Sequence, residues 1–350
     1  MNKRSFAYII VSAGLFGISP PLAKLLLKNI SPIVLAGLLY LGAFCGLYVY
    51  SVIRKIRGSG SMANVMPLQS KDYPWLVGAI VSGGIIAPIS MMLGLKFASG
   101  FSASLFLNLE GAATALIAAV IFKEHTGKRL WLAVACMTVA SLFLTWDPAK
   151  GRFTIIGPFL LIVAMICWGM DNNLTRKISG KDPVQIAMIK GFLAGSITTI
   201  IAVIFGLRIP LGMGILYALL LGTFSYGISL VFFIKALEGL GSSRAGAFFS
   251  LGPFVGAITS LFIFNDWLGW VIVPATLLMV IGVSLLLSEK HIHLHIHGIT
   301  LHAHPHRHDD LHHQHAHSFA IQEPHTHEHT HPGLAHTHEH RPDSHHNHDH

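Results

Sequence analysis

The sequence predicts an all-α membrane protein of ten transmembrane helices, arranged as two inverted five-helix repeats and followed by a disordered, histidine-rich tail. Three observations carry this reading. Of 350 residues, 52% are hydrophobic and only 11% charged, far below the roughly 25% charged content of a soluble globular domain. Ten apolar stretches have the length to cross a bilayer core of about 30 Å, which takes roughly 17 to 25 helical residues because backbone groups in hydrocarbon must pair within their own segment. Finally, 23 of the 24 histidines lie from His291 onward, His125 being the exception.

The stretches follow in order. Phe6 to Leu27 comes after Lys3 and Arg4; its run is too long for a signal peptide and lacks a small-residue cleavage pattern, so it is expected to be a retained helix. Ile33 to Ile53 ends at Arg54 and Lys55, before the one long gap, and Tyr73 to Phe97 contains Pro88. Phe101 to Phe122 and Leu130 to Trp146 flank a short basic gap. Ile155 to Leu174, Pro183 to Leu207, Leu211 to Ile234, Ala245 to Phe264 and Leu268 to Leu287 complete the set. Prolines remove helix hydrogen bonds, and bends are expected at Pro20-Pro21 and Pro253. Cys45, Cys136 and Cys167 lie far apart inside apolar runs, as small hydrophobes rather than a disulfide or zinc framework.

Residues 1–290 hold 22 Lys and Arg against 9 Asp and Glu, and residues 291–350 hold 2 against 7. The basic residues sit in gaps between apolar runs, so they set membrane orientation and do not point to nucleic acid. Counted in alternate gaps they divide fifteen to six, with Lys3, Arg4, Lys128, Arg129 and Lys290 on the richer side. Both termini are therefore expected in the cytoplasm of a cell whose plasma membrane the chain crosses.

Internal repetition comes next. "ASLFLNLEG" (Ala103 to Gly111) aligns with "AGAFFSLGP" (Ala245 to Pro253) at an offset of 142, which also carries Lys123-Glu124 onto Asn265-Asp266. "FGISPPLAK" from Phe16 aligns with "WGMDNNLTR" from Trp168 at an offset of 152. Five helices per half is an odd number, so the second half must enter the membrane from the opposite face. That is the inverted repeat of many secondary transporters, whose site lies near mid-membrane between the halves. The chain divides into 1–147, 148–290 and a tail, 291–350.

Over about residues 5 to 288, this layout and "SLFLNLEGAATALIAAVIFKEHTGKRLWLAVACMTVASLFL" resemble the drug/metabolite transporter superfamily, in its ten-helix branch of two EamA-type domains. Leu109-Glu110-Gly111 stands where that family has Leu-Glu-Pro, and Lys123-Glu124 where it has Gly-Glu. The resemblance implies export of amino acids, drugs or other small metabolites, with no enzyme activity and no required cofactor.

Charged side chains at bilayer depth cost about 2.5–3.5 kcal/mol on insertion scales, so each needs a partner or a task. Glu110 is the deepest; a cation or proton site and a polar clasp between helices are both open for it. Asn108, two residues away and about 200° around a continuous helix, is expected to face elsewhere. Asp171 and Lys190 sit at matching depths on two arms of a hairpin, either as an ion pair or as an oxygen-rich mouth formed by Asp171, Asn172 and Asn173 and gated by Lys190. Met91, Met92, Met165, Met170 and Met188 are read as core filling.

The tail offers imidazoles as His-x-His: His291, His293, His295 and His297; His302, His304, His306 and His308; His312, His313, His315 and His317; His325, His327, His329 and His331; His336, His338 and His340. In an extended chain this spacing places alternate rings on one side, and neutral imidazole suits nickel, cobalt and zinc. Its composition, with no sustained periodicity beyond "HIHLHIH", predicts disorder without metal. The expectation is thus a secondary transporter exporting divalent transition metal ions, nickel or cobalt first and zinc next, by proton exchange, similar to histidine-tailed nickel and cobalt resistance exporters of the superfamily. An exporter of organic metabolites with a metal-responsive tail, and a membrane-tethered metal buffer or sensor, are the alternatives. A homodimer is an open assembly state, and no nucleotide-binding GxxxxGK[ST] motif occurs.

Overall fold

The computed structural model describes residues 3–56, 68–122, 128–147, 152–153, 155–178, 181–209, 212–233, 236, 248–264 and 269–287, and, as backbone, 291–297, 300–306, 325–331 and 334–340. The helices are α1 (Lys3–Gly17), α2 (Ser19–Leu26), α3 (Pro32–Ile56), α4 (Tyr73–Ala79), α5 (Ala87–Phe97), α6 (Gly100–Phe106), α7 (Leu109–Val120), α8 (Lys128–Leu144), α9 (Ile156–Arg176), α10 (Pro183–Ile204), α11 (Met213–Gly222), α12 (Gly252–Phe264) and α13 (Ile272–Leu287). A two-residue antiparallel ladder, β1 (Trp146–Asp147) with β2 (Arg152–Phe153), joins the two halves of the sequence.

Several apolar stretches are built from more than one element, and the sequence explains where they break. In the first, α1 gives way to α2 at Ile18, and Pro20 and Pro21 occupy the first turn of α2, where a missing N–H costs nothing. In the third, α4 and α5 are joined by a π-helical turn, Ile80–Ile86, and in the eighth α11 runs into another, Thr223–Ile228. In the fourth, α6 ends at Phe106 and α7 begins at Leu109. The two π turns lie 143 residues apart at their starts, close to the repeat offset of 142.

The packing partners are α3 with α10, α8 with α13, α6 with α12, α5 and its π turn with α9, and α1 with α12 and the second π turn. Further contacts join α7 to α9, α3 to α11, and α10 to the first π turn. This set maps onto itself when each apolar stretch is exchanged for the one five places on. Close approach of α1 to α12 rests on glycine, since a methyl on Gly17 would overlap the Gly252 carbonyl. The main core gathers Leu35, Leu39, Met91, Met92, Leu95, Phe106, Met137, Leu161 and Met165, so three of the five methionines fill it. Large apolar side chains such as Val120, Phe262 and Trp270 point outward, as a lipid-facing surface requires.

Among the described residues seven helices are long and apolar enough to cross a membrane, with Gly252–Phe264 and Gly269–Leu285 as shorter apolar helices. The other three stretches are the fifth, whose helix α8 has 17 residues and begins on Lys128 and Arg129, and the ninth and tenth, which reach into residues 237–247 and 265–268 outside the described ones. Strand β3 (His291–His297) pairs antiparallel with β6 (Leu334–His340), and β4 (Thr300–His306) with β5 (His325–His331). "HTHEHTH" and "LAHTHEH" alternate with period two, the strand period, and this signal extends well beyond "HIHLHIH".

Candidate functional site

The site begins with a backbone defect. In the first π turn the amide of Ala87 bonds the carbonyl of Ser82, five residues back. The next amide in that pattern would serve Gly83, but it belongs to Pro88, which has none. The Gly83 carbonyl is left without a backbone donor inside the membrane, where an unpaired polar group is expensive. Two side chains supply the missing bonds: Tyr40 Oη donates at 2.7 Å and Trp168 Nε1 at 3.0 Å.

Trp168 lies one turn before three consecutive polar residues on α9. Successive residues on a helix point about 100° apart, so Asp171, Asn172 and Asn173 reach three different neighbours. Asp171, 6% exposed, turns to α10 and the π turn: Lys190 Nζ stands 2.6 Å from both carboxylate oxygens, and Thr175 Oγ1 donates to Oδ1 at 2.9 Å. The same carboxylate packs over Gly83, where a methyl would overlap it. Asn172 turns to α7, its Nδ2 donating to Glu110 Oε1 at 2.9 Å and to Thr114 Oγ1 at 3.1 Å. Asn173, buried, donates to the Thr114 and Gly169 carbonyls at 3.0 and 2.8 Å. Glu110 is half-buried and Asn172 exposed, so this part of the cluster is reachable from outside the protein.

Glu110 also lies within electrostatic reach of Asp171, Lys190, Tyr40 and Tyr226. The rings of Tyr40 and Tyr226 are 5.9 Å apart, and Ser19 Oγ donates to Tyr226 Oη at 3.2 Å. Two carboxylates, one ammonium, five amide or hydroxyl side chains and two phenols thus meet where α2, α3, α7, α9, α10 and the two π turns converge.

Five of the six pathway candidates, Glu110, Asp171, Asn172, Asn173 and Lys190, are brought together here. Asn108 stands apart, buried with neither side-chain polar atom bonded among the described residues. The 200° separation from Glu110 was reckoned along an unbroken helix; Leu107 and Asn108 instead form the turn between α6 and α7, with Glu110 N donating to Leu107 O. Cys167 is a free, half-buried thiol one turn from Asp171. Among the described residues no group of three His, Cys, Asp or Glu side chains could hold a metal ion.

Sequence reasoning missed Tyr40, Gly83, Thr114, Trp168 and Tyr226. Only Pro88 inside an apolar run gave a sign of the π turn that gathers them. Of the tail histidines, His308, His312, His313, His315 and His317 lie outside the described residues, and the other fourteen candidates lie on β3 to β6.

Comparison with known proteins completes the picture. The model of the EamA-like transporter family matches residues 4–146 and again 155–288. An uncharacterized transporter of Methanothermobacter thermautotrophicus is 28% identical over 284 residues, spanning 75% of this chain and 81% of its own length. A Pseudomonas aeruginosa protein is 25% identical over 178 residues, spanning 51% of this chain and 61% of itself. A solved crystal structure superposes with a TM-score of 0.58 over 81% of this chain and 97% of that one; at 16% identity the likeness speaks to the fold alone.

Proposed function

We propose, taking as premise that the chain belongs to the EamA-like transporter family and is a multi-pass membrane transporter, that its cargo is a divalent transition metal ion moved out of the cytoplasm in exchange for protons. In this reading the two family-model matches are inverted five-helix repeats of residues 1–147 and 148–290, the membrane is the plasma membrane, and both termini are cytoplasmic. The tail gathers nickel, cobalt or zinc near the inner mouth. Asp171, Asn172 and Asn173 receive the ion, and Glu110 binds ion and proton in turn.

The observation that carries the cargo assignment is the register of the tail ladders. Histidine stands opposite histidine at 291–340, 293–338 and 295–336 in one, and at 302–329, 304–327 and 306–325 in the other. Alternate positions of a strand share one face, so each ladder collects seven histidine positions on a single face, six of them in opposed pairs, a spacing suited to borderline metal ions and not to magnesium or calcium. In the bundle, support comes from a deep carboxylate whose one hydrogen-bond donor among the described residues is a neutral amide, Asn172.

The organic-metabolite reading has its own observation: Tyr40, Tyr226 and Trp168 surround the two carboxylates, and aromatic faces with carboxylates favour organic cations. Everted vesicles separate the two. Radioactive nickel(II) accumulates in vesicles carrying the protein under a proton gradient and not in empty ones if the metal reading holds. Amino-acid or organic-amine accumulation without nickel accumulation establishes the rival, and metal bound by the tail with no flux of either establishes a tethered buffer or sensor.

A further inference from the structure

The charges of the cluster do not suit a divalent ion as they stand. With both ionised, Glu110 and Asp171 carry two negative charges, and Lys190, 2.6 Å from both oxygens of Asp171, neutralises one. A cluster with one net negative charge matches a monovalent cation. A divalent ion entering it leaves one positive charge uncompensated in a region of low dielectric, where unbalanced charge is strongly disfavoured.

We propose that Lys190 is an exchangeable counter-ion: it holds Asp171 while the site is empty of cargo and leaves it when the metal ion arrives, so that the dication meets two carboxylates. Three features of the geometry suit this task. The ammonium sits on a four-carbon stem with rotatable bonds and so can withdraw without any movement of α10. Asp171 keeps a second partner, Thr175 Oγ1 at 2.9 Å, and is backed by Gly83, so its carboxylate stays in place when the lysine goes. Glu110 has no cationic hydrogen-bond partner among the described residues yet senses the charge of Lys190. The lysine therefore competes with cargo for both carboxylates, and its return to Asp171 drives release. Lys190 is thus a specificity residue that sets how tightly a dication is held and how fast it leaves.

The inference rests on the proposed metal cargo, and the test separates the two. Radioactive nickel(II) flux is measured in everted vesicles with the full-length chain as wild type, Lys190→Met, Lys190→Arg and the double variant Asp171→Asn/Lys190→Met. Membrane levels and monodispersity are checked for each. Lys190→Met leaves two carboxylates with no counter-ion, so its KM falls at least fivefold and its maximal rate at least tenfold. Lys190→Arg keeps the charge and holds KM at or above the wild-type value. The double variant has one carboxylate for the dication, and its KM rises at least tenfold; it also serves as the readout if Lys190→Met does not fold. Nickel flux in the wild type with KM unchanged or raised in Lys190→Met, or unchanged in the double variant, overturns the counter-ion role alone. No nickel flux in the wild type overturns the metal reading and this inference with it.

Discussion

The joint between α9 and the π turn at Gly83 and the joint between α1–α2 and the π turn at Ser225–Tyr226 are alike in backbone and opposite in chemistry. Sequence offsets of 152 and 142 relate Asp171 to Ser19 and Gly83 to Ser225. At the first joint a buried carboxylate meets an ammonium and a glycine carbonyl takes two side-chain donors. At the second, Ser19 bonds Tyr226, and Ser12 and Ser229 exchange bonds to each other's carbonyls at 2.7 and 3.0 Å. Both joints satisfy a helix irregularity inside the membrane; only one carries charge. Hydroxyl pairs suffice to hold such a joint together, so the ion pair is what sets the first joint apart.

The contrast can be broken most forcefully at Asp171. Asp171→Asn leaves Lys190 buried without its carboxylate, and losing one member of a buried pair costs about 3–5 kcal/mol; a large drop in thermal midpoint of the detergent-solubilised protein is expected. Gly83→Ala forces a methyl into the Asp171 carboxylate and is expected to cost about 1–3 kcal/mol, as overpacking does, with at least a tenfold loss of flux. Its counterpart position, Ser225, already carries a Cβ, and its hydroxyl has no partner among the described residues; Ser225→Ala is therefore expected to leave the midpoint unchanged or raise it. Trp168→Phe removes one of two donors to Gly83 and should cost about 1 kcal/mol. Ser19→Ala should cost less than Trp168→Phe, about 0.6 kcal/mol, the average for a hydrogen bond between membrane helices. Equal costs at Asp171 and Ser19, measured in the same unfolding assay, would erase the distinction between the joints.

Much of this was legible in the sequence because membrane burial writes itself in hydropathy: each of the ten apolar stretches coincides with one or more helices. The meeting of Asp171 with Lys190 was legible too, as equal depth on two arms of a hairpin. The bond from Asn172 to Glu110 was not, since nothing in a linear sequence says that α7 and α9, the fourth and sixth stretches, are neighbours. The turn at Leu107–Asn108 was not legible either, since angular reasoning assumes a continuous helix. Gly83 lay hidden because its role follows from the missing amide of Pro88 five residues later, a consequence of π geometry that an α-helical periodicity does not contain.

The central claim is that the charged joint, with Glu110 beside it, is the path of the cargo and the tail only its antechamber. Nickel(II) flux in everted vesicles tests it most directly when Glu110→Gln, which keeps the shape of the side chain and removes its charge, is set beside a chain ending at residue 290. The account predicts flux lost in Glu110→Gln and merely a raised apparent KM in the shortened chain. Full flux in Glu110→Gln, with flux abolished by removal of the tail, would contradict it.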